Sequence, residues 1–157
     1  MPNYVELFST GSVVELQTRF IARELAAVSD YTANFGIVLS DRDCKEIAQT
    51  RNQLLRDTDR VELGVGIVKR IIMEFCDSGY IDQKNFVDTV EGLLECFYSL
   101  KTETEDKADD DTVLEFMVRL FENDAGGDVS KMYFCEAYDQ FVAYARNGGF
   151  NRKKEEY

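Results

Sequence analysis

Proline occurs only once in this chain of 157 residues, at Pro2, so no later residue interrupts a helix by lacking a backbone N–H. Apolar residues recur at helical spacing, as in the seven-residue repeat of Val14, Ile21, Val28 and Phe35. We therefore predict an all-α fold, a single-domain bundle of about six helices over residues 1-150. The charged residues 151-157 are predicted to form a frayed tail.

Capping residues and apolar periodicity place the helices. In the first predicted helix, Leu16 and Phe20 widen the apolar face. The predicted helices run from Val13 to Phe35 after Ser12, from Ser40 to about Asp57, from about Gly66 to Cys76, from Asp82 past Leu100, from Asp109 or Asp110 to about Glu122, and from Val129 to Arg146.

Residues 60–67 alternate apolar and other side chains, as a strand does, with Val61, Leu63 and Val65 on one side. Gly64 and Gly66 weaken both strand and helix there. We expect at most one short extended segment near residues 60-65, acting as a connector. The same glycines, followed by Lys69 and Arg70, also allow a phosphate-binding loop at a helix start, although tight packing explains them equally well.

Thirty acidic residues face 18 Lys and Arg, which gives a net charge of −12, and most of the excess lies after residue 60. Such a chain repels phosphate backbones and anionic membrane surfaces, so we expect neither nucleic acid nor a membrane as a partner. The N-terminal sequence has no basic region before an apolar run, and no uncharged run is long enough to span a membrane. The predicted location is cytoplasmic.

The chain contains no histidine, which excludes di-iron sites with Glu-x-x-His motifs and Ser–His or Cys–His nucleophile pairs. Its cysteines, Cys44, Cys76, Cys96 and Cys135, lack the Cys-x-x-Cys spacing of zinc or redox sites. We expect reduced, mostly buried thiols. No catalytic residue and no cofactor is predicted.

Asp88, Glu91 and Glu95 fall at i, i+3 and i+7, so they share one face of a predicted helix. Acidic rows of this kind chelate magnesium in all-α nucleotide pyrophosphatases, but they need a second row on a facing helix. Glu115 and Glu122 supply one only loosely. The other interpretation is a solvated polar face.

The segment Glu74 to Asn85 has the Gly-x-Ile spacing of a calcium loop at Gly79 and Ile81. Its twelfth position is Asn85, where calcium requires a bidentate Glu. We therefore predict a turn between two helices.

The last predicted helix is apolar nearly all round. One side must face the core, and aromatic residues on the rest suit an interface with a protein partner or a second copy of the chain. The candidate interface residues are Tyr133, Tyr138, Phe141 and Tyr144, and burial in the core is the alternative.

The strings LSDRDCKEIAQTR, RVELGVGIVKRIIMEFCDSGYI and FVDTVEGLLECFYSLKTET resemble a family of uncharacterised bacterial proteins of about this length. The resemblance implies a bacterial, cytosolic protein and transfers no catalytic residue. Its most specific part is the turn FCDS-x-YI, where Asp77, Tyr80 and Asp82 are the candidate functional residues.

Two functions remain open from the sequence. The leading one is a non-enzymatic interaction or accessory protein that acts through helical surfaces, docking a protein partner or forming a homodimer. The alternative is a magnesium-dependent nucleotide hydrolase of the all-α pyrophosphatase type.

Overall fold

A computed structural model describes the backbone of residues 10–151 and the side chains of residues 13–151. The predicted tail at 151-157 therefore lies, apart from Asn151, outside the described residues. The predicted cap Ser12 lies inside the first helix, which begins at Thr10, so this helix start was predicted incorrectly. The helices are α1 (Thr10–Ala33), α2 (Asp41–Asp57), α3 (Ile67–Phe75), α4 (Phe86–Glu103), α5 (Asp110–Arg119), α6 (Val129–Met132) and α7 (Glu136–Arg146).

Helix α4 occupies the middle of the bundle, where it contacts α2, α3, α5 and α6. Residues on several sides of it are buried, including Val90, Leu93, Leu94 and Cys96. Helix α1 packs against α2 and α3 on one flank. The described residues contain no strand, so the predicted all-α bundle is confirmed. None of the described helices is both long and apolar enough to cross a membrane.

Two predicted helix starts are confirmed in detail. Ser40 caps α2, and its side chain and that of Asp43 each accept a hydrogen bond from the other's backbone N–H. Asp109 caps α5 by accepting a hydrogen bond from the N–H of Thr112. Both caps satisfy backbone donors that no helical carbonyl reaches.

Helix α1 differs from its prediction on its exposed side. It ends at Ala33, so Phe35 lies beyond it, while Ile21, Leu25 and Val28 form its buried face. Leu16 and Phe20 are 54% and 53% exposed. They were predicted to widen the buried face, and that was wrong because the described neighbours cover only one flank of α1.

Two other predictions of helix boundaries were wrong. Helix α4 begins at Phe86, because Asp82 and Asn85 exchange side-chain-to-backbone hydrogen bonds in a turn that precedes it. Helix α5 continues as a π-helical turn, Leu120–Asp124, and the predicted end at about Glu122 falls inside it. The predicted last helix is broken before extended Cys135, and the break allows both Met132 and Tyr138 to be buried.

The start of α3 requires glycine. Gly66 precedes the helix with φ 63° and ψ −141°, a conformation that L side chains rarely adopt. A Cβ atom at this position would overlap Oε1 of Glu62. The glycine therefore both turns the chain and leaves room for that carboxylate.

We predict that Gly66→Ala lowers the free energy of unfolding by about 2 kcal/mol or more, from backbone strain and displacement of Glu62. Urea denaturation measures the change. Gly79→Ala is the matched control, because its φ is not positive and nothing lies within 4 Å of the position that the added methyl group would take. Equal midpoints for the two variants would contradict the strain argument.

Candidate functional site

A chain of buried polar side chains runs across the bundle from α1 to α4. Asn52 donates to Thr18 Oγ1 at 3.3 Å, and Arg51 Nη1 donates to Asn52 Oδ1 at 2.8 Å. Arg51 Nη2 reaches Glu62 Oε1 at 3.5 Å, and the hydroxyl of Tyr98 donates to Glu62 Oε2 at 2.7 Å. Burial is the largest cause of a raised pKa at the hydroxyl of Tyr98, and the carboxylate of Glu62 is the next largest. The tyrosine thus remains a neutral donor.

Glu62 is the hub of this network. Besides Arg51 and Tyr98, it accepts the backbone N–H of Ile67 at 3.3 Å, so one carboxylate joins α2, α3 and α4. Arg51 also donates to the carbonyl of Gly64 at 2.8 Å. The segment between α2 and α3 is therefore fixed at two points.

In the connector, the acidic side chain faces the bundle and its two apolar neighbours face solvent. The segment is a connector without regular secondary structure, with bends at residues 63–65, and Val61 and Leu63 point to solvent and are 89% and 94% exposed. The side chain of Glu62 turns inward between them and is 18% exposed, so the acid is mostly covered while its two apolar neighbours are not.

These side chains border a cleft of about 490 Å³ between α1, the end of α2 and the connector. We call it the arginine cleft. Its apolar lining includes Leu16, Phe20, Val61 and Leu63, and its charged lining is Arg51, Arg56, Arg60 and Glu62.

The position considered for a phosphate-binding loop is already occupied by an anion of the chain itself. Gly64 and Gly66 both have positive φ, and the N-terminus of α3 points an N–H at the carboxylate of Glu62. A side-chain carboxylate thus takes the position where a phosphate would bind a helix start.

The predicted acidic row is only partly assembled. Oxygen atoms of Asp88 and Glu91 on α4 lie within 4.8 Å of each other and of Glu46 on α2. Glu95 lies one turn further along α4, outside this group. The facing carboxylate is Glu46, and neither Glu115 nor Glu122 joins it. We call Glu46, Asp88 and Glu91 the carboxylate triplet.

Burial and the close approach of the three carboxylates raise the pKa of one of them, Glu91. Burial, then the neighbouring carboxyl of Glu46, raises the pKa of Glu91 to about 7, and Asp88 adds to the rise while Thr50 opposes it. Glu91 Oε1 is buried and has no hydrogen-bond partner among residues 13–151. A proton between Glu46 and Glu91 relieves the repulsion, and a cation would do the same.

The predicted functional turn has structural contacts. Tyr80 packs edge-on against Phe121 with ring centroids 6.1 Å apart, and its ring lies where a Cβ of Gly127 would be. Asp82 forms the turn with Asn85, and Asp77 is exposed.

The predicted interface residues of the last helix fall into two sets. Tyr138 and Phe141 are buried, the first donating a hydrogen bond to Glu103 and the second stacking on Phe116. Tyr133 is half-buried, and Tyr144 remains substantially exposed. Tyr144 and the exposed Phe134 are therefore the aromatic side chains that a partner could best reach at this end of the described chain.

The cysteines are free thiols, three of them buried and Cys135 half-buried. Desolvation raises the pKa of Cys44, Cys76 and Cys96, which makes them poor nucleophiles. Among the described residues, the triplet is the one group of three acidic or thiol side chains close enough to share a cation, so the segment from Glu74 to Asn85 brings no such group together.

The arginine cleft was missed from the sequence. Two signals were available: Arg51 follows Ile47 by four residues on the apolar side of α2, and Glu62 interrupts an apolar alternation. A charged residue at each position marks a buried ion pair, but the pairing of residues 11 apart becomes visible only in the fold.

Comparison with known families places the chain. A family of unknown function, DUF6323, matches residues 24–149. The chain belongs to this family, which agrees with the resemblance seen in its sequence. No curated protein and no solved structure matches it.

We predict that Glu91→Gln removes a pH-dependent loss of stability. Because the folded pKa is raised, the unfolded chain loses its proton first, so wild-type stability falls as pH rises from about 4.3, the ordinary glutamate value, to about 7 and stays lower above it. At about pH 8 the thermal midpoint of the variant should exceed that of wild type by about 2–4 °C, after allowing for partial solvent screening.

The measurement is a series of thermal melts of both proteins across this pH range. Glu95→Gln, an exposed carboxylate on the same helix but outside the triplet, is the control and should follow wild type. Parallel curves for wild type and Glu91→Gln would contradict the shifted titration.

Proposed function

We propose that this protein is a non-enzymatic interaction protein that docks a protein partner through the rim of the arginine cleft. The observation that carries the proposal is the outward presentation of Val61 and Leu63, which are almost fully exposed. Exposed apolar side chains gathered on one face are characteristic of protein-binding surfaces.

The connector supports this function because it is held in place. Glu62 bonds to three helices, and Arg51 bonds to the carbonyl of Gly64, immediately beside Leu63. Preorganised apolar side chains lose little conformational entropy when a partner covers them. Leu16 and Phe20 extend the same surface along α1.

We predict that Leu63→Ser abolishes partner retention, because it removes the most exposed apolar side chain of the proposed surface. The fold should be kept, because the described residues leave this side chain 94% exposed. Cross-linking and affinity capture from cells expressing tagged full-length protein, with quantitative mass spectrometry, measure retention. The unfolding free energies of wild type and variant should agree within about 0.5 kcal/mol.

Phe134→Ser is the matched control, since this exposed aromatic lies outside the arginine cleft, near the predicted interface of the last helices. If Phe134→Ser loses the partner and Leu63→Ser keeps it, the interface lies near Phe134 and the last helices, and not at the arginine cleft. Light scattering of wild type distinguishes a homodimer from a monomer that binds another protein.

A second candidate function is magnesium-dependent hydrolysis of a nucleotide. The carboxylate triplet favours it, because carboxylates from two facing helices are what such a site requires and Glu46 provides the facing member. Magnesium would substitute for the proton that Glu91 retains.

We predict that, if this second function holds, magnesium raises the thermal midpoint of wild type at about pH 8 and leaves Glu91→Gln unchanged. Purified full-length protein should then release pyrophosphate from a nucleoside triphosphate only with magnesium present. A shift in the thermal midpoint without turnover would indicate cation binding alone. The absence of both the shift and the turnover would exclude the hydrolase.

A further inference from the structure

The lining of the arginine cleft has the opposite charge to the chain as a whole. Arg51, Arg56 and Arg60 contribute three positive charges to the lining, and Glu62 contributes one negative charge. Asp106 pairs with Arg60 from outside the lining, so the lining together with Asp106 carries one positive charge. The 157 residues together carry −12. On an acidic protein, a local excess of arginine attracts an anion to that site, while the acidic surface elsewhere repels it.

The arginines are held in position but incompletely satisfied. Arg51 is 4% exposed, and its terminal nitrogens bond to Asn52, Gly64 and Glu62. Arg60 is held by both carboxylate oxygens of Asp106, at 2.7 and 3.1 Å. In each case Nε is buried and has no hydrogen-bond partner within the described part of the chain. Unpaired buried donors are costly, so a side-chain rearrangement that brings either Nε to an acceptor bound in the cleft would be favourable.

We propose that the arginine cleft recognises an acidic segment of the partner protein, in which a glutamate or aspartate is flanked by large apolar side chains. The carboxylate lies against Arg51, Arg56 and Arg60, and the flanking side chains cover Leu16, Phe20, Val61 and Leu63. This assignment rests on the proposed interaction function and specifies the chemistry of its partner.

The exposure of the rim favours a polypeptide over a small ligand. A small molecule in a cleft is itself mostly enclosed by it. Val61 and Leu63 stand outward on the rim, so a ligand confined to the cavity leaves them in water. A polypeptide places a carboxylate inside and apolar side chains over the rim at once.

Charge also argues against a second copy of the chain meeting this cleft across a two-fold axis. In such a contact the same patch faces itself, so the three arginines of one copy approach those of the other. Juxtaposed like charges disfavour that arrangement.

The test begins with selection from a random peptide library displayed on phage, using the full-length protein as target. We expect the selected peptides to contain Glu or Asp between Leu, Phe or Ile residues. Fluorescence anisotropy then compares the best peptide with its version in which the acid is replaced by the matching amide. The amide should bind about ten-fold more weakly, and the affinity of the acidic peptide should fall as salt is added.

Protein variants locate the binding. Arg56→Gln keeps an exposed helical position and should weaken the acidic peptide about two- to five-fold, the range of an exposed ion pair, without affecting the amide peptide. Leu63→Ser should weaken both peptides about ten-fold. Arg119→Gln, an exposed arginine that lines a different cleft, is the control and should change neither.

Several results would overturn the assignment. Three concern the peptides and variants: selected peptides without acidic residues, equal affinity of the acid and amide peptides, or equal effects of Arg56→Gln and Arg119→Gln. The fourth concerns a small ligand: decanoate, a carboxylate with an apolar tail, would displace the labelled peptide at a lower concentration than the unlabelled peptide does. In any of these cases, partner retention that still depends on Leu63 leaves the interaction function standing. Loss of that dependence removes the interaction function as well.

Discussion

The carboxylate of Glu62 is the constraint on which much of the fold depends. It accepts hydrogen bonds from a side chain of α2, the first turn of α3 and a tyrosine of α4, so it sets how three helices meet. Arg51 continues the network through Asn52 to Thr18 on α1. A buried ion pair of this kind contributes less to net stability than to fixing one arrangement, since removal of either partner leaves a charge without compensation.

The same constraint creates the candidate interface. Glu62 faces inward while its neighbours Val61 and Leu63 face outward, and the glycine at 66 gives the carboxylate room beside the start of α3. Structural anchoring and surface presentation are therefore two results of one side-chain position. An interface placed on an anchored connector keeps its shape without a partner, which lowers the entropic cost of association.

Two regions with opposite electrostatics lie towards opposite ends of α2. The carboxylate triplet near its start concentrates negative charge on Glu46, Asp88 and Glu91, and Arg51 and Arg56 lie towards its end. The first region attracts protons or cations, and the second attracts anions. The arginine cleft is therefore a locally positive region on a chain with a net charge of −12. It is bordered by Val61 and Leu63, the most exposed large apolar side chains among the described residues.

The absence of internal proline, the apolar periodicity and the capping residues Ser40 and Asp109 determined the helical class and most helix boundaries, because these signals act within a few residues. The tertiary structure decided which apolar residues are buried. Leu16, Phe20, Val61 and Leu63 have the same chemistry as the core residues beside them, and Tyr138 and Phe141 resemble an interface in sequence yet lie inside. Burial depends on what covers a face, and that in turn depends on contacts such as Arg51 with Glu62 and Glu46 with Glu91, which join residues far apart in the chain.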